Sequence, residues 1–377
     1  MAEVTNNKPN KSSRRELLAR LAPFIAILSL SSAFNYQANK RLVMNALDLY
    51  HCPAAQPANI QHVDELLLKE PSPNAEKILA ISNTELEQEQ MRSYIDSEAA
   101  RNGLSLIDER PYVKAVLESK SVDDIETTLN DFTANYGFSV DFDKDFDKKV
   151  PYGPFKLVDA RTGASMMMEI FHYVPMEVFD FVNLKRIEVK NSLGRNTAGD
   201  AEAPGNVIRV DRDVFVGGEF ETYLHEIGHL IVFNSCGSPE AKNHQYSIQN
   251  PPGFHYSHKY DSDDDYPGWQ GVTASQYGAS SLSEDQAETY GNMLNGIRRV
   301  DTADPFLRYK FAVLLAQLDD QIPGISSYLT SFDFNFPTKK TRYFAIQHLP
   351  VSAEMRSPET ENDYDKGLGF SKGAKGG

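Results

Sequence analysis

Glu-Phe-Glu-Thr-Tyr-Leu-His-Glu-Ile-Gly-His-Leu-Ile-Val-Phe, residues 219–233, is the stretch on which the fold turns. Phe220, Tyr223, Leu224, Ile227, Leu230 and Ile231 recur at the three- and four-residue steps that line one face of a helix. Gly217 and Gly218 precede it, and Glu219 and Glu221 fall in its first turn, where the positive end of the helix dipole favours carboxylates. The helix is expected to stop near 234–237.

On this helix His225 and His229 stand four residues apart, so both imidazoles project from one face and can share an ion. Glu226, beside the first, is placed to take a proton from a water that a metal has made acidic. The pattern His-Glu-x-x-His is that of zinc hydrolases. Uncharged Leu224, Ile227, Leu230 and Ile231 allow the helix to pack into a core while its ligands face a cleft.

The 377 residues, 41% hydrophobic and 24% charged, have the balance of a soluble globular protein with room for two domains. A net charge of −15 argues against a nucleic-acid partner, because no basic surface of any breadth is available for a phosphate backbone. Lys8, Lys11, Arg14, Arg15 and Arg20 precede an apolar run at 21–34 that ends near Ser31-Ser32-Ala33. This reads as a signal peptide over 1–34, or as an N-terminal anchor, with no stable membrane insertion expected elsewhere. The paired arginines also resemble a twin-arginine export signal. An exported protein is expected, either secreted or held in the periplasm or cell envelope. Its two cysteines, Cys52 and Cys236, allow one disulfide or two thiols and exclude a four-cysteine zinc site.

The fold class expected is α+β. Residues 35–150 read as a mainly helical accessory or pro-domain, with one helix at 84–100 and another opened by Ser121, carried by Val122, Ile125, Leu129, Phe132 and Tyr136, and closed by Gly137. Asp141, Asp143, Asp145 and Asp147 alternate as in a calcium loop, but Phe146 stands where such a loop needs glycine and the closing glutamate is missing. A solvated boundary segment is expected there. The catalytic domain is placed at 151–350 and a disordered tail at 351–377. Within that domain a short helix at 175–182 leads to paired strands at 185–190 and 206–211, separated by the glycine-bearing loop 191–205. Ile187, Val189, Ile208 and Val210 should face the core, and a sheet edge beside the cleft can receive an extended peptide. The connection 243–275, with His244, His255 and His258, reads as an exposed loop or lid, and 305–318 as a core helix. His62, His172 and His348 read as surface or satisfied core histidines.

Two histidines do not hold a catalytic zinc, which normally has three protein ligands and an open fourth position. A third histidine ten residues after the first is excluded, because that position is Ser235. The fitting segment is Tyr277-Gly-Ala-Ser-Ser-Leu-Ser-Glu284-Asp285-Gln286-Ala287-Glu288. Ser283 followed by Gln286 forms a capping pair that opens a helix, with Glu284 in its first turn. Glu284 and Glu288 then lie four apart on one face, a repulsive pair unless a cation or donor stands between them.

His225-Glu226-Ile227-Gly228-His229, then Tyr277-Gly278 and, after five residues, Glu284 and Glu288, resemble the catalytic domain of anthrax lethal factor and its relatives. These are gluzincin zinc metallopeptidases that include secreted proline-specific endopeptidases. The resemblance covers about 214–296 and implies a zincin-like domain holding one catalytic Zn²⁺ through His225, His229 and Glu284. It further implies Glu226 as general base, Tyr277 as oxyanion donor, Glu288 as acceptor for a ligating imidazole, and a protein or peptide substrate. Asp285-Gln286 stands where lethal factor has aromatic residues, which points to a different substrate side of the cleft. The alternative is a catalytically silent, zinc-containing envelope binding protein.

Overall fold

A computed structural model describes residues 65–66, 85–143, 155–257 apart from several gaps, 272–294 and 305–331. The expected signal peptide, the tail, Cys52, His62, His348 and the part of the connection at 258–271 lie outside these residues. The fold is mixed α+β, mainly helical, with one small sheet. Among the described residues no helix is long and apolar enough to cross a membrane.

Three helices come first: α1 (Glu85–Arg101), α2 (Arg110–Glu118) and α3 (Val122–Thr133). The Ser121 hydroxyl accepts from the Asp124 amide at 3.1 Å, as the sequence predicts, a cap worth about 1 kcal/mol. Ile125, Leu129 and Phe132 are fully buried, and Gly137, at φ 81°, makes the left-handed turn that ends the segment. The chain then enters β1 (Ser139–Phe142), where the sequence reading had a solvated boundary. Val140 and Phe142 face the core while Asp141 pairs with Arg186 on the other face. The alternation of a half-buried strand was hidden by aspartates on its wet side.

Next come α4 (Leu157–His172), α5 (Met176–Val182), β2 (Arg186–Lys190), β3 (Gly199–Glu202), β4 (Val207–Asp211) and α6 (Arg212–Gly217). The strand order is β1-β2-β4-β3, with β1, β2 and β4 parallel and β3 antiparallel to β4. The expected strands pair in register, Ile187 beside Ile208 and Val189 beside Val210, and all four side chains are fully buried. On the opposite face the partly buried Glu188 pairs with Arg186, Lys190 and Arg209, contacts at the sheet surface worth about 1 kcal/mol each at most. The predicted loop 191–205 contains β3, a Gly-Asp-Ala-Glu segment with little strand propensity of its own that is ordered by pairing with β4.

The remaining elements are α7 (Phe220–Cys236), α8 (His244–Ser247), a 3₁₀ turn at Tyr277–Ala279, α9 (Leu282–Leu294), α10 (Pro305–Gln321) and α11 (Ile325–Ser331). Tyr223, Leu224, Ile227, Leu230 and Ile231 of α7 are buried as the periodicity predicts, and the helix packs on β3, β4, α5 and α9.

The division expected at 150 does not fall between two cores. One apolar cluster runs from Ile95 to Leu329, because β1 needs β2 as its partner and Tyr136 packs edge-on against Phe171 and Phe179. The first and last helices also meet: the Tyr94 hydroxyl donates to the Ser331 carbonyl at 3.0 Å. Gly324, at φ 91°, lies so close to the Asn102 carbonyl that a Cβ there would stand 2.3 Å from its oxygen. His172 is a buried core histidine, its Nδ1 2.7 Å from the Ile107 carbonyl while its Nε2 makes no hydrogen bond.

Candidate metal centre

Helix α7 carries His225, Glu226 and His229 against the sheet, and α9 crosses it with Glu284 and Glu288. The crossing is close because its contact positions lack side chains. A Cβ on Gly228 would stand 2.7 Å from the Ala287 carbonyl oxygen and 2.9 Å from its Cα, and one on Gly291 would stand 3.1 Å from the His225 nitrogen. Two glycines on facing helices bring the backbones together, which is what lets a short side chain on α9 reach the imidazoles on α7.

Glu284 Oε2 lies 3.0 Å from His225 Nε2 and 3.2 Å from His229 Nε2. These three residues form the one group of metal-ligating side chains found among the described residues. The donor set is two imidazole nitrogens and one carboxylate oxygen. Bonds of about 2.0–2.1 Å in a tetrahedral zinc site put donor atoms about 3.3–3.4 Å apart, so the spacings observed fit a small closed-shell cation with little adjustment. The group can hold a metal ion.

The surrounding contacts orient the ligands. Glu288 Oε1 lies 2.9 Å from His225 Nδ1, which directs Nε2 toward Glu284. The Ser283 hydroxyl sits 3.2 Å from His229 Nδ1 and does the same for the second imidazole. This corrects the expected capping role of Ser283. The helix is capped two residues earlier by Ser281, whose hydroxyl accepts from the Glu284 amide at 3.2 Å and whose carbonyl accepts from the Asp285 amide. Both serines precede the same turn, and only the helix start decides which one caps it.

Asp285 and Gln286 are also placed differently from expectation. Both are buried. Tyr277 is 39% exposed, with its ring centroid 5.8 Å from that of His225, and it borders the open side of the group. Glu226 is buried and its Oε2 has no hydrogen-bond partner, while Oε1 lies 3.0 Å from where a Cβ on Gly199 would be. Strand β3 therefore runs directly over the Glu226 carboxylate. Burial raises that carboxylate above its ordinary range, partly offset by the two imidazoles. His244 lies on α8, and His255 is exposed and does not join the group.

Without an ion the three ligands hold protons between them. Burial disfavours a charged imidazole, yet hydrogen bonds to Glu284 and Glu288 outweigh it and lift His225 to about 10. Burial likewise opposes a charged Glu284, but the two imidazoles hold it well below the usual carboxylate range. A metal takes only neutral imidazole, so it must displace the His225 proton. Metal uptake near neutral pH is expected to release about one proton, with affinity rising about tenfold per pH unit until His225 titrates. Calorimetric titration in two buffers of different ionisation enthalpy reads this directly, and buffer-independent heats would exclude it. In the metal-free protein the sign reverses. A histidine with a raised pKa contributes stability that is complete below its ordinary 6.5 and is lost as pH rises through about 10.

Comparison of the chain with protein-family models, with curated proteins and with solved structures returned no match.

Proposed function

We propose that the chain is an exported zinc-dependent endopeptidase of the gluzincin type, with a zincin-like arrangement of sheet and active-site helix. The observation that carries this reading is the meeting of Glu284, from a second helix, with His225 and His229, while buried Glu226 and exposed Tyr277 flank the group. A site that only held a metal for structure would close its fourth position and would have no use for an unpartnered buried carboxylate beside it.

His225, His229 and Glu284 would hold the ion, with Glu288 and Ser283 fixing the imidazoles. Bound there, zinc supplies Lewis-acid polarisation of a carbonyl and acidifies water. Glu226 takes the proton of the attacking water and returns it to the leaving amine, a double duty helped by the upward shift that burial gives it. The Tyr277 hydroxyl donates to the scissile carbonyl oxygen as that oxygen gains charge. The peptide backbone has a place to lie. Among the described residues β3 is hydrogen-bonded only along its β4 edge, and its other edge can receive an extended chain beside Glu226.

The test is cleavage mapping on a diverse peptide library with zinc-loaded protein, chelator-stripped protein and protein reloaded with zinc. Cuts present with the first and third samples and absent with the second are expected. A library left intact by zinc-loaded protein would count against a broad endopeptidase.

A further inference from the structure

Next to the metal group the structure buries a second set of polar groups that the chemistry above does not use. Lys310 of α10 and Asp285 of α9 are both fully buried, with Lys310 Nζ 2.5 Å from Asp285 Oδ2. The same ammonium donates to the Val272 carbonyl at 2.6 Å. The Tyr256 hydroxyl donates to Asp285 Oδ2 at 2.8 Å and is itself met by Asn250 Nδ2 at 3.1 Å. The Tyr246 hydroxyl lies 3.1 Å from the Asp285 carbonyl and 2.8 Å from Thr289 Oγ1, and Lys310 Nζ lies 4.9 Å from the centre of the Tyr246 ring.

The connectivity gives this hub a direction. Asp285 is the residue after the ligand Glu284, and Val272 opens the segment that leads to Tyr277 five residues on. From that segment Ser275 accepts the Gly278 amide at 3.1 Å, and the turn at Tyr277–Ala279 is held from its other side by the Ser257 amide on the Ala279 carbonyl at 3.0 Å. One buried ammonium thus joins the start of the ligand-bearing helix to the strap that carries Tyr277, from a helix that contributes nothing to the group itself. A buried ion pair is a poor source of net stability, because removing two charges from water costs about as much as their attraction returns. Directional fixing of two segments is something an apolar contact of the same volume does not supply.

We propose that Lys310 and Asp285 are positioning residues for the metal centre: their ion pair sets where Glu284 and Tyr277 stand relative to His225 and His229. The proposal rests on the metal-site reading above. Misplacement by a fraction of an ångström lowers both ion affinity and turnover without altering the cleft that holds substrate.

Three proteins separate positioning from mere packing: the parent chain, Lys310→Met, and the double variant Lys310→Met/Asp285→Leu. The single variant leaves a buried carboxylate unpaired and is expected to lose thermal stability. The double variant removes both charges and is expected to recover most of that loss, short of what the Tyr256 hydroxyl and Val272 carbonyl lose with their partners. Co²⁺ titration followed by its visible absorption reads the centre directly. The double variant should bind Co²⁺ about 10- to 100-fold more weakly, with an altered ligand-field band, although most of its stability is restored. On a cleaved peptide its kcat should fall at least about tenfold while KM stays within about twofold. A double variant with parental Co²⁺ affinity, spectrum and kcat would overturn the proposal while leaving the metal-site reading intact. A parent chain that takes up no Co²⁺ would overturn both.

Discussion

Glu226→Gln is expected to lower kcat by about 10²- to 10⁴-fold, the range that a positioned general base contributes, while leaving metal affinity within a few-fold of the parent. The amide has the size of the carboxylate and cannot accept the water's proton. Its neighbours constrain it to the same place, since β3 passes directly over Oε1 and Tyr223 and Ile227 hold the helix from below. Protonation of the parent carboxylate sets the acidic limb of its pH profile, which should vanish in the variant. Steady-state rates across pH, with metal content measured on the same samples, check both statements. Unchanged turnover with full metal would remove Glu226 from the base's role, and a fully loaded parent with no turnover would favour the silent binding protein.

Gly228→Val is expected to weaken metal binding about 100-fold and to destabilise the fold by about 1–3 kcal/mol. A Cβ on Gly228 meets the Ala287 backbone at 2.7 and 2.9 Å, and backbone does not rotate aside as a side chain would. The helices must part at that point. Glu284 sits one turn before Ala287 and Glu288 directly after it, so the displacement moves both carboxylates away from His225. Valine also favours helix over glycine by a few tenths of a kcal/mol, too little to offset the crowding. Gly291→Ala, with its nearest contact at 3.1 Å, should show the same effects in smaller measure. Co²⁺ titration and urea unfolding of the two variants measure them, and wild-type affinity in the valine variant would mean that the crossing has slack.

Reading the chain without its structure reached furthest where residues act through local spacing. The i, i+4 placement of His225 and His229, and of Glu284 and Glu288, needs only the helix period, and both pairs lie on the helices expected for them. Strands β2 and β4 announced themselves by buried aliphatics at alternate positions. Strand β1 did not, because Asp141 and Asp143 outweighed Val140 and Phe142 in any reading by composition. Strand β3 has no local signal, since its order comes from a partner. The pairing of Lys310 with Asp285, 25 positions apart along the chain, lies beyond local reasoning altogether. Ser-x-x-Glu at 281–284 was a capping signal as good as the Ser283 pattern, and weighing both would have freed Ser283 for His229.

The clasp between the first and last described helices bears on when the protein comes to life during its synthesis. Tyr94 and Ser331 are 237 residues apart, and closing so long a loop is entropically expensive until many other contacts exist to repay it. Glu284 leaves the ribosome before Lys310, and Lys310 before Ser331. A nascent chain therefore holds both halves of the metal centre well before it holds the helices that brace them. Packing of the helices around the candidate site can therefore be completed only once translation has passed α11.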